Sequence, residues 1–146
     1  MERLKIKRLN ENAILPTRGS DGAAGMDLYA CLDEPVTLEP RGLYKIPTGL
    51  AIALPDKTTV ALIFARSGLG VKHGISLSNA VGVVDSDYRG ELLVGLCNLS
   101  GEPYTLQPGE RFAQLVIMPV LSMELEEVDD LGGTGRGAGG FGSTGR

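Results

Sequence analysis

Turn-forming residues recur along this chain at roughly ten-residue spacing, and that interval limits the fold more than any other feature. Asp-Glu-Pro at 33–35, Glu-Pro-Arg-Gly at 39–42, Leu-Pro-Asp-Lys at 54–57, Ser-Gly-Glu-Pro at 100–103 and Gln-Pro-Gly at 107–109 each close a short apolar run. Runs of that length suit strands, not helices, so the spacing predicts antiparallel strands joined by turns. Twenty-one Gly and eight Pro among 146 residues argue against a helical bundle for the same reason. The reading is an all-β domain over residues 1–130, with room for one helical turn at residues 67–71.

Within this frame the alternation of side chains places particular residues. Leu4 and Ile6 alternate with Lys5 and Lys7, as in a half-buried first strand. Residues 58–64, rich in β-branched and apolar side chains, are read as a central strand, and residues 121–126 as a short last one. Met26, Leu28 and Ala30 share one side of a strand, which leaves Asp27 and Tyr29 on the other. Asp27 therefore projects from a strand, beside a glycine that lets another group come close. It is either a solvent-facing carboxylate or a functional one. Gln114, in the mostly apolar run 111–119, is either on the solvent side or a buried amide with partners, because an unpaired buried amide costs ~1–3 kcal/mol.

Charge and cysteine content narrow the function. A net charge of −4 provides no basic field, so nucleic acid and anionic membrane are disfavoured partners, and a bound anion needs locally placed donors. Cys31, Cys97 and a single histidine, His73, cannot build a structural zinc site. Two buried thiols in a reducing compartment are expected instead. The N-terminus alternates apolar and charged residues and no run reaches membrane-spanning length, which points to a cytoplasmic protein.

The chemistry concentrates in residues 81–91, Val-Gly-Val-Val-Asp-Ser-Asp-Tyr-Arg-Gly-Glu. Two apolar runs flank a polar turn, the pattern of a β-hairpin, with a carboxylate, a ring and a guanidinium within five residues. Taken alone, a solvated hairpin tip is the commoner explanation. Arg66, Ser67 and Gly68 follow the central strand, where backbone donors, a guanidinium and a hydroxyl can converge on phosphate oxygens; an ordinary strand-to-turn junction fits as well. Residues 131–146 are glycine-rich with almost nothing to bury, so this arm is expected to be flexible without a ligand. It still carries Arg136, Phe141, Ser143 and Thr144, suited to closing over an anionic, aromatic ligand.

Together these segments resemble the trimeric dUTPases. The resemblance runs through 24–30 (Ala-Gly-Met-Asp-Leu-Tyr-Ala), 66–68 (Arg-Ser-Gly), 82–91 (Gly-Val-Val-Asp-Ser-Asp-Tyr-Arg-Gly-Glu), 111–115 (Arg-Phe-Ala-Gln-Leu) and 136–145 (Arg-Gly-Ala-Gly-Gly-Phe-Gly-Ser-Thr-Gly), in the family's order. Ala65 departs from the proline the family often has there. The dCTP deaminases share the fold, but the arm and the Asp-Ser-Asp-Tyr turn look more like a pyrophosphatase.

What the resemblance implies is a jelly-roll-like antiparallel protomer and a homotrimer whose sites are shared between subunits. The implied reaction is hydrolysis of dUTP to dUMP and pyrophosphate by water attack on the α-phosphorus. It would keep uracil out of DNA and supply dUMP for thymidylate synthesis. By resemblance Asp85 holds the water, Gln114 lies near it, and Ser67 donates toward the departing bridging oxygen. Arg66, Ser67 and Gly68 contact phosphates, while Tyr88 lies against the deoxyribose. Asn79 and main-chain groups of Gly82 and Val84 read the base. Asp27 places Mg²⁺ through water. Arg136 meets the γ-phosphate, Phe141 stacks on uracil, and Gly142, Ser143 and Thr144 donate to phosphates.

Overall fold

The computed structural model describes residues 3–140. Eleven strands and one short helix appear among these residues: β1 Lys5–Arg8, β2 Met26–Tyr29, β3 Val36–Leu38, β4 Leu43–Pro47, β5 Leu50–Ala53, β6 Thr59–Ala65, α1 Ser67–His73, β7 Ile75–Leu77, β8 Gly82–Val84, β9 Leu93–Asn98, β10 Tyr104–Leu106 and β11 Arg111–Pro119. Every pairing is antiparallel. The sheets are β2-β11-β6-β8, β4-β9-β7, and the two-stranded β1-β5 and β10-β3. The predicted central strand is central: β6 pairs with β11 from Thr59 to Ala65 on one edge and with β8 on the other. The expected helical turn extends to seven residues.

The core is aliphatic. Leu28, Ile46, Leu50, Ala61, Ile75 and Leu96 are almost fully buried, and Phe112 is the one aromatic ring among them. Each large aliphatic side chain so buried contributes roughly 1.5–3 kcal/mol before conformational costs. Two buried polar residues tie separate segments together. Asn98 donates to the carbonyls of Leu38 and Glu102, both at 2.8 Å, and Thr48 donates to Leu92 O at 2.8 Å. Among the described residues no buried side-chain nitrogen or oxygen lacks a partner, as the cost of an unmade buried hydrogen bond demands.

Two expectations fail over strand partners, and a third over burial. Residues 81–91 are not a hairpin: β8 pairs with β6, whereas β9 pairs with β4 and β7. The strands flanking the turn belong to different sheets, so the turn is a crossing between layers. Residues 121–126 alternate as a strand should but form no ladder. Among the described residues the last ladder-like bond is Val120 N to Thr58 O at 2.8 Å, after which Leu121, Met123 and Leu125 stand exposed with no described strand beside them. The cysteines are unpaired as expected but half-buried, not buried. Desolvation, then the nearby Glu91 and Asp33 carboxylates, raise the Cys31 thiol.

Candidate active site

The turn after β8 is held by its own backbone and by a neighbouring strand. Tyr88 N donates to Asp85 O at 3.1 Å, and the Arg89 guanidinium folds back to donate to Ser86 O at 2.7 Å and Tyr88 O at 2.8 Å. Arg89 thus satisfies its own turn. At the exit, the Glu91 carboxylate accepts from Gly49 N at 2.7 Å and Leu92 N donates to Leu50 O at 2.8 Å, which anchors the turn beside β5. Tyr88 Oη donates to Glu91 O at 2.9 Å. Gly90 leaves room for this bond, because a Cβ there would lie 2.4 Å from that hydroxyl and the ring would have to shift.

Between this turn and β8 lies a cleft of about 200 Å³ lined by Ile63, Asn79, Gly82, Val84, Asp85 and Tyr88, among others. β8 is an edge strand, so one side of its backbone keeps unpaired donors and acceptors beside the cleft. Asp85 and Tyr88 are exposed at its rim. Five residues predicted to touch substrate therefore meet in one place.

A second group assembles at the far end of the same sheet. Asp27 on β2 is 14% exposed in its side chain, with Arg66 Nε at 2.9 Å from Oδ1 and Arg111 Nη1 at 3.1 Å from Oδ2. Arg66 Nη1 also donates to the Arg111 carbonyl at 3.0 Å. Opposite Asp27 on β11, Gln114 Nε2 donates to Ala65 O at 2.8 Å. Gly25 makes room for this amide, since a Cβ there would lie 3.0 Å from Gln114 Oε1. The choices left open by the sequence resolve: Asp27 is paired and does not simply face solvent, and Gln114 is a half-buried amide with a partner. Behind the group, Tyr104 Oη donates to Glu110, whose other oxygen accepts from Gln107 N at 2.9 Å. Burial, then that carboxylate, pushes Tyr104 up to about 12.

Ser67 and Gly68 begin α1 and are exposed, and a Cβ at Gly68 would meet nothing. His73 ends that helix with its ring centroid 4.7 Å from that of Tyr104. Six residues of helix separate it from Ser67, about 9 Å of rise, too far for a Ser-His pair. Arg136 donates through Nε to Gly139 O at 2.8 Å, within its own exposed turn. Phe141, Gly142, Ser143 and Thr144 lie outside the described residues.

A family model described as dUTPase matches residues 11–145. The chain belongs to the dUTPase family. The deoxyuridine 5'-triphosphate nucleotidohydrolase of Hahella chejuensis is 54% identical over 139 residues, 95% of this chain and 91% of that one. The dUTPase of Staphylococcus bacteriophage 80alpha with dUPNHPP superposes with a TM-score of 0.86 at 29% identity, covering 100% of both chains. A mutant dUTPase from phage phi11 of S. aureus, described as coordinating a structural Mg(II) ion, gives a TM-score of 0.80 at 28% identity, over 89% of this chain and 99% of that one. The expected jelly-roll-like antiparallel fold is thus the fold found.

Within this dUTPase fold the predicted residues form two groups, not one. Asn79, Gly82, Val84, Asp85 and Tyr88 share the cleft, while Arg66, Ser67, Gly68 and Gln114 do not line it. Two residues now prominent carried no role at the level of sequence. Glu91 anchors the turn through Gly49 N, and Arg111 holds Asp27. Both lie inside the segments that carry the family resemblance, but nothing in their spacing revealed these partners.

Proposed function

We propose that this dUTPase-family chain hydrolyses dUTP to dUMP and pyrophosphate by water attack on the α-phosphorus, limiting uracil in DNA and supplying dUMP for thymidylate synthesis. The observation that carries the proposal is the cleft in which an edge strand, an exposed carboxylate and an exposed ring meet. The free edge of β8, at Gly82 and Val84, offers a fixed row of donors and acceptors for the uracil edge, helped by Asn79. Fixed polar groups of this kind reject a base whose own pattern leaves them unpaired. Tyr88, held by Glu91 O, lies against the deoxyribose and crowds a 2′-hydroxyl. Asp85 holds the attacking water and draws its proton, a contribution typically worth ~10²–10⁴-fold.

The phosphates fall to the second group. Arg66, Ser67 and Gly68 contact the chain, Ser67 donates to the oxygen on which charge grows as pyrophosphate leaves, and Gln114 steadies the water near the α-phosphate. In this reading residues 131–146 serve as an arm over the active site, distinct from the domain of residues 1–130; residues 141–146 lie outside the described residues. The arm's Arg136 meets the γ-phosphate, Phe141 covers the base, and Gly142, Ser143 and Thr144 donate to phosphates, so that closure excludes water.

Among the described residues no three His, Cys, Asp or Glu converge as a metal cage. Asp27 nevertheless suits an outer contact: each of its oxygens accepts one guanidinium N–H and retains a lone pair for a metal-bound water. Mg²⁺, carried mainly by substrate phosphates, would screen the charge of the triphosphate.

A homotrimer with shared sites explains why one chain keeps the two groups apart. It also explains residues 121–126, whose apolar Leu121, Met123 and Leu125 alternate with Ser122, Glu124 and Glu126 as a strand awaiting a partner does. No helix among the described residues is long and apolar enough to cross a membrane. Two unpaired cysteines suit a reducing, cytoplasmic setting. Pyrophosphate release measured across dUTP, dTTP, dCTP and UTP tests the function. Release from dUTP alone is expected; ammonia from dCTP, or no turnover of any nucleotide, would overturn it.

A further inference from the structure

Asp27 and Arg111 come together through an irregularity in the sheet. On β11, Gln114 lies opposite Asp27 and Ala113 opposite Leu28, but Arg111 lies opposite Tyr29. A register shift between Arg111 and Ala113 therefore gives β11 one extra residue at this point. In an unbroken ladder Phe112 would share the face of Gln114 and Asp27, and Arg111 would be on the other face. The bulge returns Arg111 to the Asp27 side and leaves Phe112 in the core, 1% exposed.

The result is a closed set of contacts. Arg111 grips Asp27 through its side chain, and Arg66 is gripped twice, by the Asp27 carboxylate at Nε and by the Arg111 carbonyl at Nη1. Both ends of Arg111 thus bear on one guanidinium. The bonds to Arg66 use two of its five N–H groups and leave three, the two on Nη2 and one on Nη1, for an anion. Two arginines and one aspartate also leave one positive charge in a protein whose net charge is −4.

We propose that Arg111 is a positioning residue for triphosphate recognition: by bracing Asp27 it fixes the Arg66 guanidinium in the orientation that meets the phosphates. This rests on Arg66 being a phosphate contact, as in the function proposed above. A long side chain ordered before substrate arrives loses little freedom on binding, so the bracing appears as affinity for phosphate and not as a property of the uracil cleft. It also gives Asp27 a task within the protein, distinct from placing a metal ion. The bulge at Phe112 is then part of the recognition apparatus.

A double-mutant cycle on the full chain tests this, with the affinity for the non-hydrolysable analogue dUPNHPP as readout and deoxyuridine as the phosphate-free control. Arg111→Met is expected to weaken analogue binding on the order of tenfold while deoxyuridine binding stays unchanged. Arg111→Lys, whose ammonium can still reach Asp27, is expected to recover part of the loss. In an Arg66→Met background the Arg111→Met change should cost less than about twofold more, since the group it positions is gone. Additive losses would mean that Arg111 grips phosphate itself and would overturn the proposal, as would an unchanged affinity in Arg111→Met. Failure of the wild type to release pyrophosphate from dUTP would refute the function, whereas a hydrolysing wild type with an additive cycle refutes only the positioning role.

Discussion

The turn at residues 85–91 and the cluster around Asp27 both gather charged side chains, and they hold them in opposite ways. In the turn, the scaffold is satisfied by main-chain bonds, by Arg89 and by Glu91, while Asp85 and Tyr88 stay exposed. In the cluster, the side chains are already committed: Asp27 to Arg66 and Arg111, Gln114 to Ala65 O. An uncommitted carboxylate is suited to hold a water that must leave it during reaction. A guanidinium already paired on one side is suited to hold a phosphate that must not move. Changes in the turn should therefore fall on rate and sugar choice, and changes in the cluster on phosphate affinity.

The largest separation of the two is expected from Asp85→Asn. Turnover of dUTP should fall ~10²–10⁴-fold, with binding of dUPNHPP by calorimetry nearly unchanged. Equal losses in both would blur the division. A chain ending at Asp130 comes next, with the same thermal midpoint as the full chain but turnover lower by at least about tenfold. Full activity in that chain would remove the arm from the mechanism.

How far the sequence discloses these regions depends on whether the relevant contact is local. Turn chemistry is local, so the strands at Val36–Leu38, Leu43–Pro47, Leu50–Ala53 and Thr59–Ala65 are legible from spacing and β-branched content. Partner choice is not local. Residues 81–91 have every local mark of a hairpin, yet β8 finds its partner in β6, about twenty residues upstream, because the two apolar runs serve different sheets. Residues 121–126 have the right alternation and no ladder, since a strand exists only with a neighbour. In the site, Asp27 was legible as a projecting carboxylate because period-two alternation reports faces. Its partner Arg111 was not, because the bulge at Phe112 breaks that period.

A smaller effect sharpens the turn's half of the comparison. Gly90→Ala should push the Tyr88 hydroxyl off Glu91 O, since the added Cβ would fall 2.4 Å from it. Losing one hydrogen bond of ~0.5–1.5 kcal/mol should change the dUTP/UTP preference a few-fold, with affinity for inorganic pyrophosphate unaltered. An unchanged preference would place sugar discrimination elsewhere than the ring.

The smallest effect belongs to the support behind the cluster. The folded state holds the Tyr104 proton more tightly than the unfolded chain does, raising it from 10.0 to about 12. That stabilisation is complete below pH 10 and is lost as pH rises toward about 12. Tyr104→Phe should accordingly flatten the fall of the denaturation midpoint over that window. A slope identical to wild type would show that Tyr104 is not the group responsible.

The most direct test of the central claim, a water aimed from the Asp85 turn at the α-phosphorus, is the fate of oxygen during a single turnover of dUTP in ¹⁸O-water, read by mass spectrometry. The expected result is label in dUMP with unlabelled pyrophosphate and, over the same interval, labelled dUMP from Asp85→Asn lower in proportion to the ~10²–10⁴-fold fall in rate. Label in pyrophosphate, or as much labelled dUMP from the variant as from wild type in that interval, would contradict it.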